Sequence, residues 1–343
     1  MTNKSFPAGF ILLGCSEKPQ LETVLFWAVI LLYTMIVLSN SAIILLSCVD
    51  PRLYTPMYFF LSNLSFLDLC YTTAAVPQML SNLWGPDKSI TYTGCVLQVC
   101  VLLCLGATEG VMLVVMAFDC YVAICRPLHY TVIMNRPLCW KLVLTAWLCS
   151  LMESVTQTPV TFQLPFGAHR HLDDFLCQVP ELICLACGDT AASEWQMTIS
   201  AVLFTIVPVG LILNSYGFIA QVLGKIQSEE GRQKAVATCF PHLSVVIMFY
   251  GTVAMVYTDP KNQLASKHGK FVTFFFTMVT PLLNPLIYTL QNKEVKGALQ
   301  RLLRKGDSVP SGLQAAKYNG QCSELTVIQQ DAAPAAADRT SHL

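Results

Sequence analysis

Two carboxylic acids, Asp68 and Glu109, lie inside long apolar stretches of the sequence. A charged group is costly at such a depth in a membrane, so an intramembrane carboxylate is treated first as a functional residue. The two groups could share a proton or bind a sodium ion. They could instead be hydrogen-bonded to Asn40, Asn284 and nearby hydroxyls, and the residues alone favour neither interpretation.

A second set of reactive side chains follows residue 167 and comprises His169, His171, Asp173, Asp174, Cys184 and Cys187. Imidazole, thiolate and carboxylate groups are ligands of zinc and copper. Their spacing matches no compact structural metal motif, so we expect a solvated polar loop with no metal and no cofactor. The sequence also lacks a P-loop, a zinc-protease helix and a Gly-x-Ser-x-Gly turn, and it therefore does not predict an enzyme.

The amino-acid composition indicates that much of this chain is not exposed to water. The chain has 343 residues, of which 54% are hydrophobic and only 12% are charged, whereas a soluble domain carries about 25% charged residues. Lys plus Arg and Asp plus Glu number 21 each, so net charge indicates no nucleic-acid partner. Most of the 15 cysteines lie in apolar stretches and are expected to be small buried residues rather than a disulfide framework.

Seven stretches are long and apolar enough to cross a membrane as helices. They are residues 23–48, 53–86, 90–118, 142–167, 195–224, 235–258 and 271–292. In lipid the backbone must satisfy its own hydrogen bonds, so prolines such as Pro77, Pro159 and Pro208 are expected to kink these helices rather than end them. The sequence thus predicts an all-α membrane protein with a seven-transmembrane helix bundle.

The distribution of positive charge predicts the orientation in the membrane. With the N-terminus outside, twelve Lys and Arg residues lie near the inner face and seven near the outer face, as the positive-inside rule requires. Asn3 begins an Asn-x-Ser glycosylation triplet, which agrees with an extracellular tail. We therefore expect a multi-pass plasma-membrane protein with an extracellular N-terminus.

Three regions follow from these patterns: an extracellular tail at 1–22, a receptor domain at 23–305 and a disordered cytoplasmic tail at 306–343. Within the second, residues 293–305 alternate apolar and basic side chains at helical spacing, which predicts a short amphipathic helix on the inner membrane face.

Five short sequence motifs resemble those of a known protein family. They lie at 55–61 (TPMYFFL), 116–130 (MAFDCYVAICRPLHY), 215–216 (SY), 234–243 (KAVATCFPHL) and 281–290 (PLLNPLIYTL). In this order and at these helix ends they resemble the signatures of olfactory (odorant) receptors, which are rhodopsin-like G-protein-coupled receptors. The resemblance covers about residues 10 to 305.

The resemblance implies a cavity for a small, uncharged, volatile odorant between the third, fifth, sixth and seventh spans. The expected lining residues are Leu102, Leu103, Gly106, Ala107, Ser200, Phe204, Tyr250, Val253, Ala254, Tyr257 and Thr277. It also implies a disulfide between Cys95 and Cys177, and it places Asp68 and Glu109 near each other inside the bundle. Leu102 stands where amine receptors have an aspartate, and the seventh span has no lysine for retinal.

At the inner face the resemblance implies coupling to a stimulatory olfactory-type G protein that raises cAMP. The residues expected to couple or switch are Asp119, Cys120, Tyr121, Tyr216, Lys234, His242, Asn284, Pro285 and Tyr288. Cys120 replaces the family's arginine, so weak or absent coupling is one alternative function. A receptor of the same fold that acts outside olfaction is another.

A further departure from the family concerns the cysteines of the second outer loop. Gly167 stands where most members have a cysteine, and this leaves Cys187 without the family's partner. Cys187 could pair with Cys184 or Cys15, or remain a free thiol.

Overall fold

A computed structural model describes residues 9–14, 19–167, 170–226, 228–258, 267–291, 295–298 and 300–301. Side chains are not described at 19, 234, 256–258, 267–268 and 289–291. Within this part of the chain, seven helical segments are long and apolar enough to cross a membrane. The predicted all-α, seven-helix membrane fold is therefore confirmed.

The first four spans are single helices. They are α1 (Pro19–Val49), α2 (Pro56–Trp84), α3 (Tyr92–Cys125) and α5 (Arg136–Phe162), with the one-turn helix α4 (Tyr130–Ile133) between the third and the fourth. A short helix, α6 (Val179–Leu185), follows the fourth span. The N-caps of α3 and α5 are satisfied by side chains, because Thr91 and Asn135 accept hydrogen bonds from the backbone of Gly94 and Leu138.

The fifth and seventh spans each contain a π-helical turn. In the fifth, α7 (Ala191–Ala201) leads through Val202–Ile206 into α8 (Val207–Leu223). The sixth span is α9 (Glu229–Thr258), and in the seventh α10 (Lys267–Phe274) leads through Phe275–Val279 into α11 (Thr280–Gln291). Pro208 and Pro281 lie two residues after the ends of the two turns. Proline lacks an N–H and crowds the carbonyl four residues earlier, so a wider turn accommodates it without ending the helix.

The third span is the centre of the bundle. α3 packs against α2, α5, α8 and α9, and buried residues recur along its whole length, from Cys95 to Val122. Residues on this one helix can therefore contribute both to the cavity beneath the disulfide and to the polar groups at the opposite end.

A three-stranded sheet covers one end of the bundle. β1 (Gly9–Leu12) pairs antiparallel with β2 (Ser89–Thr91) and parallel with β3 (His171–Leu172), so the strand order is β2-β1-β3. A Cβ on Gly9 would lie 2.3 Å from the carbonyl oxygen of Ile90, so the close pairing of β1 and β2 requires glycine there. We call this the disulfide end of the bundle, and the other the Asp119 end.

The chain divides into two units, Met1–Lys296 and Gly297–Leu343. In the second unit the described residues, 297–298 and 300–301, are helical. The surface helix predicted at 293–305 and the disordered tail predicted at 306–343 stay predictions, since most of these residues lie outside the described part. Asn3 and Cys15 also lie outside it.

Candidate functional site

A disulfide fixes a loop segment over the bundle. The sulfur atoms of Cys95, at the start of α3, and Cys177 are bonded, as the resemblance implies. The backbone N–H of Cys177 also donates a hydrogen bond of 2.9 Å to Oε1 of Gln98. We call residues 171–182, which include β3 and the first turn of α6, the lid.

A buried carboxylate anchors the lid to the seventh span. Oδ2 of Asp174 accepts hydrogen bonds from Thr273 Oγ1 at 2.8 Å and from Gln178 Nε2 at 3.4 Å. Burial raises the pKa of Asp174 to about 7, and it raises the pKa of Glu181 to about 8. Both carboxyl groups therefore bind a proton more readily in the closed lid than in water.

Two acidic residues of this loop are paired with side chains of the seventh span. Asp173 forms an ion pair of 2.6 Å with Lys270, and Asp174 is held by Thr273. Among the described residues, no three His, Cys, Asp or Glu side chains come together as metal ligands. His169 lies outside the described part.

Beneath the lid lies a cavity of about 200 Å³. Eight of the eleven predicted ligand residues line it, namely Leu102, Leu103, Gly106, Ala107, Ser200, Phe204, Val253 and Thr277. The structure adds residues that the sequence did not indicate, namely Tyr71, Val99, Glu153, Cys177, Gln178, Val179, Pro180, Thr205, Phe249, Thr252, Val272, Thr273 and Phe276. The lid, the second span and the fourth span therefore contribute to the wall as well as the four spans expected.

Two of the predicted ligand residues on α9 do not line this cavity. The hydroxyl of Tyr250 donates a hydrogen bond of 2.9 Å to the carbonyl oxygen of Gly110 on α3, and Ala254 is exposed on the outside of the bundle. Phe249, Thr252 and Val253 face the cavity instead. Positions three and four apart share a helix face, whereas Tyr250 is turned from Phe249 by about 100°. The side chain of Tyr257 is not described.

Glu153 is the lining residue of most chemical interest. It lies on α5, and its Oε1 accepts a hydrogen bond from the hydroxyl of Ser200 on α7. The sequence distinguishes Glu153 from its neighbours, because it is the one charged residue in the apolar stretch 142–167. Its partner could not be identified, because Ser200 belongs to a different span.

The two central carboxylates come together as expected. Nδ2 of Asn284 donates hydrogen bonds to Oδ1 and Oδ2 of Asp68 at 3.2 and 3.1 Å, and to Oε1 of Glu109 at 3.3 Å. All three residues are buried. Asn40 takes no part, because its Nδ2 donates to the backbone carbonyls of Ile36 and Pro281.

At the Asp119 end, Oδ1 of Asp119 accepts a hydrogen bond of 2.8 Å from Tyr130. Cys120 is buried against Ile219 and Cys239. A second cavity, of about 500 Å³, opens beside them. Its wall includes four of the predicted coupling residues, Asp119, Cys120, His242 and Tyr288.

The remaining coupling residues lie around this cavity or deeper in the bundle. Nδ1 of His242 is 2.7 Å from the hydroxyl of Tyr216, and its Nε2 is 3.0 Å from the carbonyl oxygen of Leu113. A carbonyl can only accept, so Nε2 carries the proton and Nδ1 accepts from Tyr216. Tyr121 contacts the ring of Phe218 on α8.

Three further coupling residues complete the predicted set. Asn284 belongs to the central carboxylate cluster, Pro285 follows it inside α11, and the side chain of Lys234 is not described. The structure therefore divides the predicted coupling set between the Asp119 end and the centre of the bundle.

Cys187 has a free, exposed thiol. A Cβ placed on Gly167 would lie 2.5 Å from its Sγ, and Phe166 and Ala186 form a β-bridge next to the pair. A cysteine at position 167 would therefore place its side chain directly against this thiol.

Comparison with known proteins agrees with this architecture. Residues 29–306 match the family model described as olfactory receptor. The chain is 54% identical to olfactory receptor 2H1 of Homo sapiens over 305 residues, which are 89% of this chain and 96% of that protein. It is 56% identical to olfactory receptor 2C1 of Mus musculus over 304 residues, which are 89% of this chain and 97% of that protein.

The match spans every membrane helix except the start of the first, and the relatives are receptors rather than enzymes. Together with the seven helices, it shows that this multi-pass membrane protein belongs to the olfactory receptor family.

Proposed function

We propose that the cavity beneath the lid binds small uncharged odorants and that the occupied receptor activates a stimulatory olfactory-type G protein, which raises cAMP. The observation that carries this proposal is the cavity itself, which is largely apolar, has a few hydroxyls and is covered by a disulfide-anchored segment. Such a site suits a small, mostly apolar molecule with one or two polar atoms.

The distribution of residues along α3 supports a link between ligand and G protein. Leu102, Leu103, Gly106 and Ala107 line the ligand cavity, and Asp119 and Cys120 line the second cavity about four turns further along the same helix. A ligand that shifts α3 against α9 therefore acts on both sites. The excess of Lys and Arg near the Asp119 end supports an orientation with this end in the cytoplasm and the N-terminus outside, in the plasma membrane.

The ligand cavity can be tested by filling it. A Cβ on Gly106 would meet only Tyr71, at 4.0 Å, so Gly106→Phe is expected to occupy the cavity without disrupting helix packing. Gly210 on α8 is a matched control, because it is exposed and a Cβ there would meet nothing within 4 Å.

In cells that express the receptor at equal surface level, we expect a panel of odorants to raise cAMP in the wild type and in Gly210→Phe. The response should fall at least tenfold in Gly106→Phe. An unchanged response in Gly106→Phe, or a best ligand that is a peptide or a biogenic amine, would contradict the proposal.

One observation favours a second candidate function, an odorant-binding receptor that couples weakly. Cys120 is buried and uncharged, so it supplies neither the ion pair with Asp119 nor the contact with a G protein that the family's arginine makes. The two candidates predict the same ligand binding and differ only in the size of the cAMP signal.

A further inference from the structure

We propose that Glu153 makes the cavity selective for odorants that carry a hydroxyl group, so that alcohols bind better than aldehydes or ethers of the same carbon skeleton. The inference rests on the proposed function of the cavity and names the ligand class. It assigns a role to the fourth span, which the sequence had not placed at the site.

The first step of the argument is the acceptor capacity of Glu153. Its carboxyl group lines the cavity, and Ser200 on the adjacent fifth span donates a hydrogen bond to Oε1. Among the described residues, no hydrogen bond to Oε2 is found. A carboxylate can accept several hydrogen bonds, so Glu153 has an acceptor available to a ligand in the cavity.

The second step is that several wall hydroxyls have already used their protons. Ser200 donates to Glu153, and Thr273 Oγ1 donates to Asp174 at 2.8 Å. Thr252 Oγ1 donates to the backbone carbonyl of Met248 at 2.7 Å. A hydroxyl has a single proton, so these three groups face a ligand mainly as acceptors.

Glu153 and these three hydroxyls therefore suit a ligand that donates a hydrogen bond, and the hydroxyl of Thr277, which also lines the cavity, can donate to the oxygen of the same ligand. An aldehyde or an ether has no proton to donate to these groups. An alcohol donates its hydroxyl proton to Glu153 and is paired through that bond alone. The preference arises because a buried polar group that lacks its partner is more costly than one exposed to water.

The third step distinguishes a hydroxyl from an ammonium. Apolar side chains such as Leu102, Phe204 and Phe249 make up most of the remaining wall. A charged amine would lose its hydration shell on entry, and a single carboxylate in an apolar site often fails to compensate for this loss. A neutral alcohol loses much less, so we assign the site to alcohols.

The experiment uses the full-length receptor and straight-chain alcohols from hexanol to decanol, each matched by the aldehyde, methyl ether and primary amine of the same chain length. Potency is read from cAMP in cells. Binding is read from the rise in unfolding temperature of the purified receptor, which needs no G protein. The variants are Glu153→Leu, which removes the acceptor, and Glu153→Gln, which keeps an amide oxygen. Glu194→Gln is the control, because Glu194 is paired with Thr190 and does not line the cavity.

In the wild type we expect each alcohol to be about tenfold more potent than its aldehyde or ether, the scale of one net hydrogen bond. Glu153→Leu should abolish this discrimination, Glu153→Gln should keep part of it, and Glu194→Gln should keep all of it. The inference is overturned if alcohols have no advantage, if the amines are the best ligands, if Glu153→Leu still discriminates, or if no alcohol stabilises the receptor.

These outcomes separate the inference from the proposed function. If aldehydes and ethers activate the wild type as well as alcohols do, the role of Glu153 is refuted and the odorant cavity stands. If no odorant of any class gives a response in either measurement, both the cavity's function and the role of Glu153 are refuted.

Discussion

The hydroxyl of Tyr130 donates a hydrogen bond of 2.8 Å to Oδ1 of Asp119, near the end of α3. Tyr130 thus joins the α4 turn to the end of α3. The neighbouring Cys120 points instead into an apolar cluster with Ile219 and Cys239. Asp119 therefore has a neutral hydrogen-bond partner in Tyr130, and the neighbouring Cys120 provides no fixed positive charge.

We predict that Cys120→Arg raises odorant-driven cAMP severalfold at equal surface expression. Arginine restores a planar charged group that can pair with Asp119 at rest and contact the G protein when active. Cys120→Ser, which adds no charge, should give no increase. The prediction is wrong if the wild type already signals as strongly as the arginine variant.

The disulfide gives a second prediction. Cys95→Ser or Cys177→Ser should retain the receptor in the endoplasmic reticulum, because the lid would no longer be covalently tied to α3. Staining of unpermeabilised cells for surface receptor measures this. Cys149→Ser changes an exposed free thiol and serves as the control. Normal surface levels of both disulfide variants would show that the bond is dispensable.

The position of Gly167 gives a third prediction. Gly167→Cys should form a second disulfide with Cys187, because the new side chain would begin where Sγ of Cys187 now lies within 2.5 Å. Closing a loop of this size stabilises a protein by about 3 kcal/mol. The bond is detected by peptide mapping without reduction and by a higher unfolding temperature. The double variant Gly167→Cys, Cys187→Ser should show neither, and a free thiol at both positions in the single variant would contradict the geometry.

The lid should be less stable at alkaline pH. Burial raises the pKa of Asp174 from its ordinary value of 3.8 to about 7, so the folded lid favours the protonated form. This contribution to stability is complete below the ordinary value and is lost as the pH rises through about 7. Glu181, with its pKa raised to about 8, acts in the same direction, while Lys270 opposes both.

The corresponding measurement is the unfolding temperature of the receptor between about pH 5 and pH 8.5. It should fall with rising pH in the wild type and fall less in Asp174→Asn, which is neutral throughout. An unfolding temperature that rises over this range in the wild type, or an identical slope in the variant, would show that Asp174 does not control the lid.

A fifth prediction concerns the central cluster. One amide, that of Asn284, serves both Asp68 and Glu109, so two negative charges there require a shared proton or a sodium ion. Glu109→Gln removes one charge and keeps a hydrogen-bonding side chain, and it should raise the unfolding temperature by a few degrees. Replacing sodium by choline then separates the alternatives. The wild type loses stability if sodium binds, and it is unaffected if the two groups share a proton.

The sequence predicted the features that a single segment determines. Apolar length is sufficient to identify seven helices, the motif at 116–130 locates Asp119, and the family resemblance implies the bond between Cys95 and Cys177. The rotation of α9 could not be predicted, because apolar residues occur on all its sides and nothing in the pattern selects Phe249 and Thr252 over Tyr250. The strand β1 was missed since its partners lie far along the chain, and Glu153 acquires its role only when Ser200 from another span approaches it.

The sheet at the disulfide end also constrains the membrane topology of the first half of the chain. β1 is made first, yet one of its partners, β3, follows the fourth span. The backbone groups of β1 that bond to β3 therefore have no strand partner until about 160 further residues have been synthesised. Any one of these four spans inserted in reverse would leave β2 or β3 on the wrong side of the bilayer. In a receptor with all three strands paired, β1, β2 and β3 must therefore lie on the same side of the membrane.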